Sequence, residues 1–203
     1  MDERAERTGP ARERLLATAA EMFYRDGVTA TGVDAITRES GVSKPTLYSH
    51  FRSKPALVAG VLRYRHDGRR EELQGYLADL EQEGAGRIVA VFDWLVRRAE
   101  EPNFRGCAFL NAAAELAAPP DEDARTVVRQ HKAWWRGLFS DLAEGVGLEA
   151  PDELGEQLLL LLDGAYARSS VERASEPVRV ARKLAVQLLR LHGAQDLAEG
   201  EHR

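Results

Sequence analysis

Between Ser43 and Lys54 the chain concentrates hydrogen-bond donors: the hydroxyls of Ser43, Thr46, Tyr48 and Ser49, the His50 ring and the ammonium groups of Lys44 and Lys54. Such groups suit recognition of oxygen and nitrogen acceptors, as on phosphates and base edges. Lys44 has the chemistry to donate to guanine O6 and N7, and the Thr46 methyl to touch a thymine methyl. With Pro45 and Ser49 they make a candidate base-reading set. Tyr48, His50 and Lys54 suit phosphates instead, as do the free N–H groups of a helix that begins after Ser53.

Presenting these groups requires two short helices at an angle, and the flanking residues spell that out. Thr31 is expected to cap a helix over about 33–40 and to stand near the duplex, while Val33 and Ile36 supply the buried face. Gly41 permits the left-handed backbone of a tight turn, and Val42 plugs the angle. Ser43 then caps a second helix over about 44–51, with Pro45 in the first turn where its missing N–H costs nothing. Leu47 and Phe51, four apart, face inward. This is helix-turn-helix grammar, in which the second helix offers its amino-terminal residues to the major groove.

The segment GVSKPTLYSHFRSKPAL resembles the signature of the TetR family of bacterial regulators. The matching residues are Thr31, Val33, Ile36, Gly41, Val42, Ser43, Thr46, Leu47, Tyr48, His50, Phe51, Lys54 and Leu57; Thr37 and Ser40 stand where the family more often has alanine. The resemblance covers roughly residues 10–62, and beyond them only helical length and layout agree. It implies a homodimer that binds a near-palindromic double-stranded DNA operator and usually represses. It also implies that the last two long helices pair across the dimer, and that helices of the rear half surround a pocket for a small-molecule effector.

The rest of the chain reads as all-α, about nine helices in total, because apolar residues recur at three- and four-residue spacing and strand-like alternation is missing. Helices are expected over about 10–27, from 54 onward, and over 87–100, 107–116, 121–144, 152–174 and 177–192. The fourth carries one apolar stripe at Leu57, Val58, Val61 and Leu62 and another at Leu73, Tyr76, Leu77 and Leu80, with a wet middle at RYRHDGRREE. The expected organisation is a DNA-binding head over residues 1–54 and a regulatory and dimerisation domain over 55–203. The run Leu158 to Leu162 suits a helix covered on several sides, and Ala181, Leu184, Ala185, Leu188 and Leu191 form a stripe.

Composition narrows the functional classes. The formal charge is −5, yet residues 1–54 carry nine Lys and Arg against eight Asp and Glu, whereas residues 55–203 carry 19 against 25. Cationic character is therefore held toward the front. The longest apolar run is far too short to span a bilayer, and the charged start lacks a signal segment, so the expected location is cytoplasmic. The one cysteine, Cys107, reads as buried and inert, and His66, His131, His192 and His202 as solvated. No metal-ligand spacing, cofactor fingerprint or catalytic arrangement of nucleophile, base and orienting group is present.

In the rear half the candidate effector residues are Phe92, Leu95, Phe109, Trp134, Leu138 and Tyr166, with Asn111, Glu115 and Asp163 as polar groups in apolar settings that need a partner, water or ligand. The rival expectation is a helix-turn-helix regulator with no small ligand, controlled by a partner protein or by abundance.

Overall fold

The computed structural model describes residues 10–116, 122–195 and 197. These form helices α1 (Ala11–Asp26), α2 (Val33–Ser40), α3 (Lys44–His50), α4 (Lys54–Ala78), α5 (Gly86–Ala99), α6 (Ala108–Glu115), α7 (Glu122–Glu144), α8 (Pro151–Glu172) and α9 (Glu176–Leu191), with no strand among the described residues. The all-α reading and its helix order hold. Asp121 lies outside the described residues, but Glu122 and Asp123 occupy the first turn of α7, where the helix dipole favours negative charge.

Two compact units divide the chain. One comprises residues up to 69 together with 108–131, the other 70–107 together with 132 onward. Compactness thus draws a different line from the boundary expected at residue 54, because the apolar stripe of α4 at Leu57, Val58, Val61 and Leu62 is buried within the first unit.

In the first unit, α1 packs on α2 and α3, which also pack on each other. Its Leu15, Leu16, Ala19, Ala20, Met22 and Phe23 are all buried. Gly27 ends it at φ 95°, donating its N–H to the Phe23 carbonyl. The middle of α4 is not wholly wet. Arg65 donates to the Ala20 carbonyl at 2.6 Å and lies 4.8 Å over the Tyr24 ring, so its cationic head is held by α1. His131 is likewise buried rather than solvated. Its ring stacks on Phe109 at 3.5 Å, and its Nδ1 lies 3.1 Å from Nδ1 of His66.

The second unit has an aromatic core in which Phe92 stacks on Phe139, and Phe139 on Trp135, with centroids 5.7 and 5.8 Å apart. Ile88, Leu95, Leu154, Leu158, Leu162 and Leu189 fill the space around them. Helix α9 packs against both α5 and α8. Ion pairs join facing helices: Asp93 of α5 with Arg182 of α9, and Lys132 of α7 with Asp163 of α8.

Gly155 lets α8 approach α7, since a Cβ there would stand 2.9 Å from the Arg136 carbonyl and nearer still to the Ser140 hydroxyl. The backbone atom cannot rotate away. Gly155→Ala is therefore expected to destabilise the fold by about 1–3 kcal/mol through overpacking. Gly75→Ala, at an exposed position of α4 with nothing within 4 Å of the added carbon, is expected to stabilise it by about 0.5–1 kcal/mol. Urea denaturation of the two variants checks both signs.

Candidate nucleic-acid interface

Helix α3 is seven residues long, and its two sides have opposite characters. Leu47 is fully buried, with Val42 before it and Phe51 after it each 5% exposed. Ser43, Lys44, Pro45, Tyr48, Ser49 and His50 are exposed, with Tyr48 at 44%. Thr46 is half-buried between these sides. One continuous donor-rich surface results.

The turn that aims this helix follows the sequence reading closely. Gly41 takes φ 64° and donates its N–H to the Thr37 carbonyl, and the Val42 N–H reaches the same acceptor at 3.2 Å. Ser43 caps α3, its hydroxyl accepting the Thr46 N–H at 3.2 Å and lying 2.7 Å from the Thr46 hydroxyl. The Ser49 hydroxyl donates to the Thr46 carbonyl at 2.7 Å. Ser53 accepts the Ala56 N–H at 3.2 Å and so caps the start of α4.

Thr31 departs from its expected role. The residue ahead of α2 is Gly32, which makes no side-chain cap. Thr31 is only 3% exposed and donates its hydroxyl to the Gly27 carbonyl at 2.7 Å. It fastens the turn between α1 and α2 from inside, and a duplex has no access to it. The pattern of a threonine ahead of a helix fits either role, and burial decides.

Electrostatics around the surface involve partners that the sequence reading missed. Lys44 Nζ lies 2.8 Å from Asp34 Oδ1, and the hydrogen bond to that carboxylate is the main cause raising the lysine's pKa. Lys54 is half-buried, and its Nζ donates to the Thr29 carbonyl at 3.4 Å. Burial pushes its pKa down, and the charge of Glu115 opposes that fall. Glu115 also accepts the Thr29 N–H at 2.7 Å, and its carboxylate sits where a Cβ on Gly27 would fall, 3.0 Å away. A carboxylate of α6 thus secures the loop that leads into α2.

The candidate effector residues divide between the units. Phe109, Asn111 and Glu115 belong to the first, and Phe92, Leu95, Trp134, Leu138, Asp163 and Tyr166 to the second. Phe92 and Leu95 are core, Trp134 and Leu138 pack against that core, and Tyr166 meets Phe104 edge to face at 4.9 Å. Asp163 already holds Lys132, which also donates to the buried Cys107 Sγ at 3.6 Å. Asn111 is exposed beside a cleft of about 20 Å³ that suits a water molecule rather than an effector. Among the described residues no group of three or more side chains could hold a metal ion, and no helix is long and apolar enough to cross a membrane.

Comparison with known proteins places this arrangement. The sequence profile of the bacterial regulatory proteins of the tetR family matches residues 15–61. A TetR-type transcriptional regulator of Streptomyces avermitilis is 34% identical, with a TM-score of 0.80 over 92% of this chain and 100% of that one. The chain belongs to the TetR family. A second TetR-family regulator, from Streptomyces coelicolor, is 32% identical with a TM-score of 0.81, covering 91% of this chain and 96% of its own. The transcriptional repressor DhaR of Mycobacterium sp. strain GP1 is 26% identical over 175 residues, 83% of this chain and 87% of that protein. As a TetR-family member the protein is a helix-turn-helix DNA-binding transcriptional regulator rather than an enzyme.

The inward role of Thr31 is testable by stability. Thr31→Val leaves the Gly27 carbonyl without its donor and is expected to lower stability by about 1–3 kcal/mol, whereas Thr31→Ser keeps the hydroxyl and most of that stability. Urea denaturation compares the two.

Proposed function

We propose that this TetR-family protein is a repressor that binds a near-palindromic operator as a homodimer and is released by a small, largely apolar ligand. The observation that carries its DNA-binding part is the exposed face of α3, where Lys44, Pro45, Tyr48, Ser49 and His50 stand together over a buried Leu47. Lys44, Pro45, Thr46 and Ser49 are assigned to base edges, and Ser43, Tyr48, His50 and Lys54 to phosphates. Residues 1–54 form the DNA-binding domain in this reading, and residues 55–203 the regulatory and dimerisation domain. Repression is supported by likeness to DhaR, which is named a repressor.

Dimerisation is assigned to α8 and α9. They leave large apolar side chains in water: Leu160 at 65% and Val171 at 85% exposure on α8, Leu184 at 41% and Leu191 at 79% on α9. A second copy would cover this surface, and two-fold symmetry of the protein would be mirrored in the operator. The effector is assigned to the second unit, with the partly buried Trp134, Leu138 and Tyr166, which pack against the core containing Phe92 and Leu95, as apolar surface. It releases DNA only by binding the released state more tightly than the bound one.

Fluorescence anisotropy with DNA flanking the protein's own coding region tests the DNA assignments. Lys54→Ala and Tyr48→Phe are expected to weaken binding to specific and random duplexes alike, with Lys54→Ala reducing the salt slope by about 1. Lys44→Ala and Thr46→Ala are expected to shift preference among sequences, each base contact being worth about 1–3 kcal/mol. An unchanged salt slope for Lys54→Ala would remove that residue from the interface.

Sedimentation of a Leu184→Asp and Leu191→Asp double variant tests the dimer. The expected result is a monomer that retains its helical content. A persisting dimer would reassign the interface.

A further inference from the structure

The second unit contains a groove of about 460 Å³, bounded by the end of α4, the loop over residues 82–85, α5, α9 and the segment after it. That volume lies within the range of roughly 300–1,000 Å³ common to small-molecule sites. Its apolar surface comes from Leu80, Val89, Leu197 and the ring of Tyr76. Asp93 and Arg182 line it as well, 2.5 Å apart and only 20% and 16% exposed, so that each neutralises the other.

Arg97 is the cation left over. Its guanidinium lies 5.3 Å from the centre of the Tyr76 ring, and no carboxylate among the described residues pairs with it. Stacking on a ring fixes the plane of a guanidinium while leaving its N–H edge free, and that edge matches both oxygens of a carboxylate. Burial pushes the Tyr76 phenol pKa above its usual range, with Arg97 offsetting part of the rise, so the group remains an O–H donor at neutral pH. Glu83, exposed at the rim, disfavours ligands carrying further negative charge.

We propose that this groove binds an apolar monocarboxylic acid, its carboxylate on Arg97 and its alkyl or aryl body along Tyr76, Leu80, Val89 and Leu197. The groove lies against the outside of the core that contains Phe92 and Phe139, since Val89 belongs to that core and Tyr76, Leu80 and Leu197 pack on it. Its regulatory consequence, though not the binding itself, rests on the ligand-release reading above.

Isothermal titration of the full chain with decanoate, phenylbutyrate and the uncharged phenylbutyramide tests the assignment. Both acids are expected to bind, with the amide weaker by about 10-fold or more because it forfeits the charge-assisted pair. Arg97→Gln is expected to abolish the preference for acid over amide, and Leu80→Trp to weaken both by filling the groove, with thermal melts confirming that each variant is folded. Failure of both acids to bind, equal binding of acid and amide, or an unchanged acid affinity in Arg97→Gln would overturn the proposal. Operator retention measured with and without acid separates the two readings. An acid that binds through Arg97 yet leaves operator affinity unchanged supports the groove and overturns release by this ligand.

Discussion

A helix of seven or eight residues does not hold its shape in water, because nucleation fixes several dihedrals before enough hydrogen bonds form to compensate. Helices α2 and α3 are that short, so the surface they present exists only through burial of their inner side. Ile36 and Leu47 are fully buried, and Val42 and Phe51 almost so, with α1 packed on both helices. Each inward apolar side chain fixes the rotation of its helix and sends the polar residues between them outward. The donor surface is thus a by-product of the core, and Gly41 and the Ser43 cap set the angle at which it stands.

Many of those donors already have partners in the free protein. Lys44 holds Asp34, Ser49 bonds the Thr46 carbonyl, and Lys54 reaches the Thr29 carbonyl. The Lys44 pair is exposed, so exchanging it for a base edge or phosphate costs little. Lys54 differs, since burial disfavours its charge and Glu115 restores part of it. A phosphate placed there would supplement Glu115 rather than replace a lost hydration shell. The same carboxylate fixes the loop at Thr29, so local electrostatics and loop position share one group.

Local grammar made the head legible. Glycine at a left-handed turn, serine at a cap and proline in a first turn are dictated within four residues of where they act, and the structure places Gly41, Ser43 and Pro45 accordingly. Helix spans were readable for the same reason, since apolar spacing is local. What remained hidden depends on long separations: Glu115 bonds Thr29 from 86 residues away, and Lys132 reaches Asp163 across 31. Thr31 is the instructive case, because the same threonine satisfies a carbonyl behind it or an N–H ahead of it. Only the packing of α1 selects the first.

Helix α9 shows how several demands can be met by one sixteen-residue segment. Its Val178, Ala181, Ala185 and Leu189 are buried toward neighbouring helices, while Leu184 and Leu191 stand in water. Arg182, four residues after Val178 and seven before Leu189, lies on the same inward side and meets Asp93 of α5 where both are mostly withdrawn from solvent. Desolvating two charges consumes much of what their attraction supplies, so such a pair adds little net stability. Its effect is geometric: the pair favours the register of α9 along α5 in which Arg182 faces Asp93. That register places Arg182 in the groove that Arg97 also lines, while the seven-residue spacing of Leu184 and Leu191 sets both exposed leucines on the other side of the helix.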